Sequence, residues 1–168
     1  ETTGTNGQQN NTFLDSSTNN FTVTRTGTPT QGTFTPFSQT GWSGNFNGTT
    51  DALNALGTTQ FQLSTTDFTV ESWIYLTTSP AAVAYIAGTY DGANGGWALY
   101  VSIAAAGLAF RNGDSSVLTV TGAIPINSWC HVAAVRQSFV RYPRRRLLRH
   151  LQCEPGRSWQ NRKRSGLV

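Results

Sequence analysis

"DFTVESWIYLTT" occupies residues 67–78, and its alternation decides how the chain folds. Phe68, Val70 and Ile74 fall on one face of an extended strand, while Glu71, Trp73 and Tyr75 fall on the other. β-Branched and aromatic side chains suit such a pleated, half-buried surface. Pro80 closes the run, because proline has no N–H to give a sheet ladder.

The same kind of pattern extends in both directions. Upstream, "FTVTRTG" from Phe21 alternates and stops at Gly27, which predicts a strand. "TPTQGTFTPF" carries Pro29, Gly32 and Pro36 and predicts a loop with a short extended piece. "WSGNFNGTTDAL" from Trp42 predicts a strand broken by a turn at Asn47 and Gly48. Downstream, "AVAYIAGTYDGANGGWALYVSI" predicts strand, glycine-rich turn at 91–96, and strand, with Trp97, Leu99, Val101 and Ile103 on one face. "GLAFRNGDSSVLTVTG" predicts a hairpin turning at Asn112 and Gly113, a dipeptide that suits the positive φ of tight turns. "INSWCHVAAVR" is apolar on both faces, as expected of a central strand covered on each side. Trp42, Trp97 and Trp129 are expected in the core. Short strands with Gly and Asn between them, and no helical period, define an all-β antiparallel sandwich.

Length and composition agree with one such domain. The chain has 168 residues, enough for a real core, and no apolar run long enough to span a membrane. It contains no Met, so position 1 is expected to lie inside a longer protein. Residues 1–12 are rich in Thr, Asn and Gln and are expected to form a linker or frayed arm. Two cysteines, Cys130 and Cys153, imply no disulfide framework and suggest two unrelated thiols.

The order of these motifs resembles the laminin-G-like, concanavalin A-like jelly roll. "NFNGTTDAL" matches that family's Phe-x-Gly-x-x-Asp turn, and "FTVESWIYL" its Phe-Thr-Val-Glu-x-Trp strand. "GGWALYV", "GLAFRNG" and "IPINSWCHVAAVR" follow as its Gly-Gly-Trp strand, its hairpin, and its Pro-x-x-x-Trp-x-His-Val-Ala strand. "FLDSSTNNFTVTRTG" is similar to the first strand of the version found in bacteriophage virion proteins and bacterial surface proteins. The resemblance runs over residues 13–137 and implies a jelly roll that is incomplete at its C-terminal end.

Residues 138–168 depart from the family. Up to Gln137 the chain has three basic residues (Arg25, Arg111 and Arg136) against seven acidic ones, whereas from Ser138 onward it has nine basic residues against Glu154 alone. Back-translating "RRRLLRHLQCEPG" with permitted codons and moving one nucleotide forward allows Asp-Gly-Val-Ser-Tyr-Gly-Thr-Phe-Asn-Val-Asn-Pro. The family places a hairpin of that type here, so the tail is expected to be a frame-shifted continuation of the domain. In that case the strand ending near Arg136 has an exposed edge and the chain aggregates. The competing expectation is a basic arm that neutralises phosphates, with Tyr142 and Trp159 to stack on bases. Either way the tail has no stable fold of its own, beyond a marginal helix around 144–152.

Several residues are candidates for chemistry. Trp73 and Tyr75, beside Glu71, could form a stacking platform for a sugar, as in jelly-roll lectins. Asp91, Asn94 and Asp114 lie in predicted turns and offer oxygen ligands to calcium, as in many relatives. Catalysis has little support. Glucanases of the fold carry a Glu-x-Asp-x-x-Glu strand, and here only Glu71 and Asp67 are present. His131 has no Ser or Cys partner and is expected to be a structural strand histidine.

The resemblance thus implies a non-catalytic recognition or adhesion module on a virion or in an extracellular, cell-surface setting, binding a glycan or a protein. The alternative is a structural virion domain packed between subunits. No membrane partner is expected, and nucleic-acid binding by the tail is set behind these.

Overall fold

A computed structural model describes residues 12–37, 41–56, 59–63, 67–92, 95–103, 107–113, 116–122, 124–138 and 147–155. The chain divides into two compact units, Glu1–Gln62 and Leu63–Val168. All the regular structure described is antiparallel β.

The first unit holds β1 (Val23–Thr26), β2 (Thr30–Gly32), β3 (Ser43–Asn45) and β4 (Ala52–Ala55). β1 pairs with β4, and β2 pairs with β3. The turn between β3 and β4 explains the Phe-x-Gly-x-x-Asp motif. Asn47 Oδ1 accepts the backbone N–H groups of Thr49, Thr50 and Asp51 at 2.9, 3.0 and 3.1 Å. Asp51 in turn accepts from Asn47 N at 3.0 Å and from Thr28 N at 2.8 Å, tying two loops to one carboxylate. Gly27 leaves room for this: its φ is +73°, and a Cβ there would run into Asp51 Oδ1. Asp15 caps the entry to β1. The N–H of Ser17, then that of Phe21, hold its carboxyl below the usual carboxylate range.

The second unit is a two-layer sandwich. It contains β5 (Phe68–Tyr75), β6 (Ala84–Gly88), β7 (Trp97–Ser102), β8 (Gly107–Asn112), β9 (Ser116–Val120), β10 (Trp129–Ser138) and β11 (Leu147–Pro155). One sheet has the order β11-β10-β5, the other β6-β7-β8-β9. Between them lies a core of Trp97, Leu99 and Val101 from β7, Leu108 and Phe110 from β8, and Cys130, Val132 and Ala134 from β10. Phe68, Val70 and Ile74 of β5 pack against it, as the alternation of that strand predicts. The Phe68 and Phe110 rings meet at 5.4 Å. Leu99 is fully buried, which contributes about 1.5–3 kcal/mol relative to exposure. The turn at Asn112 and Gly113 is present, with Gly113 at φ +74°.

The structure corrects four expectations. Ile103 is exposed, beyond the end of β7, and does not join the core. Trp42 and Trp129 are half-buried, whereas Trp97 is a core residue. Cys130 is disulfide-bonded, not an unrelated thiol; the chain's other cysteine, Cys153, stands across from Val132 in register. Residues 147–155 form a strand along β10, not a helix, so β10 has a neighbour on each side and no open edge. Its extended form follows from the ladder, because backbone N–H and C=O groups pair with any extended partner.

Candidate functional site

The register between β5 and β10 assembles the outer face of the three-stranded sheet. Tyr75 stands across from Trp129, Trp73 from His131, and Glu71 from Ala133. Each rung lies two residues along the strand from the next, a spacing of roughly 7 Å. Trp73 and His131 have ring centres 5.3 Å apart, tilted at 46°. Tyr75 and Trp129 have theirs 5.5 Å apart, at 60°. Four rings therefore sit on two adjacent rungs, all half-buried.

Glu71 lies on the next rung. Its Oε2 is 3.2 Å from His131 Nε2, so a proton on that nitrogen bridges the two side chains. The Glu71 side chain is 51% exposed and that of His131 only 14%, so the carboxylate faces solvent while the imidazole is packed beneath it. The structure thus brings Trp73, Tyr75 and Glu71 to one face and adds Trp129 and His131, which sequence reasoning left in the core and in a structural role. The period-2 alternation of Trp129 and His131 with buried Cys130 and Val132 carried the signal. Their pairing with β5 is a matter of register between strands more than 50 residues apart in sequence, which no local pattern contains.

The other candidate set is less complete. Asp91 is exposed beside Gly92 in the loop after β6, and Asn94 and Asp114 lie outside the described residues. The two loops that carry them do adjoin: Gly113 N donates to Gly96 O at 2.7 Å. At the same end the Arg111 guanidinium lies 3.7 Å from the centre of the Tyr90 ring, with Nε donating to Gly113 O at 3.4 Å. Among the described residues, no three His, Cys, Asp or Glu side chains gather into a metal cluster.

A two-sheet antiparallel sandwich is the architecture of jelly-roll domains. Comparison with protein families bears this out in the sequence. The laminin-G-like model of the concanavalin A-like lectin/glucanase superfamily matches residues 47–142, more than half of the chain, and the chain belongs to that family. The family is compatible with a carbohydrate- or protein-binding module. Comparison with curated proteins and with solved structures gave no match.

Proposed function

We propose that this chain is a non-catalytic recognition module of a virion or cell-surface protein, and that it binds a glycan on the outer face of β5 and β10. The observation that carries this reading is the cluster of Trp73, Tyr75, Trp129 and His131 beside the exposed Glu71 carboxylate. Half-buried aromatic rings supply apolar area that a sugar ring can cover, and a carboxylate accepts its hydroxyl hydrogen bonds. The non-catalytic part rests on the acids of β5. Glycoside hydrolysis uses a pair of carboxyl groups that flank the scissile bond, and β5 carries only Glu71, with Asp67 preceding the strand.

A glycan array on the purified chain tests the proposal. Saturable binding is expected, lost in Trp73→Ala, with the sheet circular-dichroism signal retained. If Trp73→Ala abolishes that signal, the face is core. If the chain binds nothing but is incorporated in order into particles, its role is structural.

A further inference from the structure

We infer that the glycan this face takes carries a positive charge, an amino sugar bearing an ammonium group and not an N-acetyl group. The inference rests on the glycan reading above and names the ligand class for the same site. Three observations support it.

The first is ring geometry. Tilts of 46° and 60° mean that neither pair presents one flat surface of two rings. A pyranose ring can still cover one ring at a time. A cation needs only a ring face within about 6 Å, so differently oriented rings can each contribute to holding it.

The second is charge. From Thr69 to Tyr75 on β5 and from Trp129 to Val135 on β10 there is no Lys or Arg, and Glu71 is the one acid.

The third is position. His131 holds Glu71 through Oε2 and lies against the Trp73 ring, which fixes the carboxylate one rung from the aromatic rungs. A cation over Trp73 therefore meets a ring face and a carboxylate together.

The test uses two tetrasaccharides with the same backbone, one of N-acetylglucosamine and one of N,N,N-trimethylglucosamine. The second carries a permanent charge at any pH. Binding to the full chain is measured by calorimetry at pH 7.5. The trimethylated tetramer is expected to bind roughly tenfold more tightly, the scale of a part-exposed cation–π contact joined to an ion pair. Glu71→Gln should shrink that ratio toward one, and added salt should narrow it in the unaltered chain. Equal affinity for the two tetramers, or preference for the acetylated one, with binding still dependent on Trp73, overturns the charge inference and leaves the glycan site standing. A ratio unchanged by Glu71→Gln also overturns it. If neither this pair nor any glycan on the array binds, the site and the inference fall together.

Discussion

Strand β10 has a different kind of neighbour on each side. On one side β5 lies inside the family match, which ends at residue 142; on the other β11 lies beyond it. Both pair antiparallel with β10, over eight and nine residue pairs respectively. Along β5 the side chains agree with the ladder. Ile74 faces Cys130, and Val70 faces Ala134, on the core side; the aromatic pairs share the other side. Along β11 the agreement is mixed: the register places Leu151 across from Ala134 and Cys153 across from Val132, but Arg149 across from Arg136. Like charges directly opposite destabilise a strand pair. A backbone ladder accepts any extended chain, so pairing alone does not show that a strand was selected for its place. Side-chain agreement across the ladder is the stricter criterion, and β5 meets it.

The largest expected effect is on the β5 side. Ile74→Ala removes a side chain that packs on the core opposite disulfide-bonded Cys130. It should cost about 2–4 kcal/mol, read as a shift in the denaturant midpoint with an unchanged slope. Arg149→Ala on the β11 side should cost nothing, or add a few tenths of a kcal/mol by removing the like-charge pair. If Arg149→Ala destabilises as much as Ile74→Ala, the two sides of β10 are equivalent and the contrast fails.

A middle-sized effect concerns the frame of the tail. We propose that residues from Arg144 to Pro155 stand in place of the shifted-frame sequence Asp-Gly-Val-Ser-Tyr-Gly-Thr-Phe-Asn-Val-Asn-Pro. In the register of β11, that sequence puts glycine across from Arg136, phenylalanine across from Ala134 and valine across from Val132. Apolar residues then recur every second position, matching the core side of β10. Cys153 is lost in the exchange, so melting curves belong in reducing buffer, where no disulfide contributes to either version. The exchanged chain should be more stable by about 1 kcal/mol, the size of a relieved like-charge pair plus one good cross-strand contact. A basic arm for nucleic acid predicts otherwise: the chain as written melts no lower, and it binds DNA or RNA through the tail with an affinity that falls as salt rises.

The same contrast marks what could be read in advance. The alternation of Phe68 to Tyr75 defines both faces of β5 from the sequence alone, because a period of two is a local property of the chain. The hairpin at Gly113 and the turn at Asn47 were legible for the same reason: their chemistry lies within five residues. The meeting of Trp129 with Tyr75 and of His131 with Glu71 was not, since it depends on the register of strands joined through four others. Nor was β11: the alternation of Leu151 and Cys153 with His150, Gln152 and Glu154 is short, and the arginine run just before it suggests an amphipathic helix instead.

The smallest expected effect probes whether the outer face of β5 is structural at all. Glu71 pairs with His131 at 3.2 Å, and half of the Glu71 side chain is exposed. An ion pair in that setting is screened by water and contributes between nothing and about 1 kcal/mol. Gln keeps the shape of Glu and can still accept a hydrogen bond from His131 Nε2, so Glu71→Gln removes the charge and little else. Its midpoint should shift by no more than about 0.5 kcal/mol, within the range of ordinary surface substitutions. Set beside Ile74→Ala, three positions along the same strand, the two variants then separate the strand's faces. The inner face carries stability, and the outer face is left to binding. A loss for Glu71→Gln comparable to that for Ile74→Ala would mean that the carboxylate holds the sheet together, and both faces of β5 would then belong to the fold.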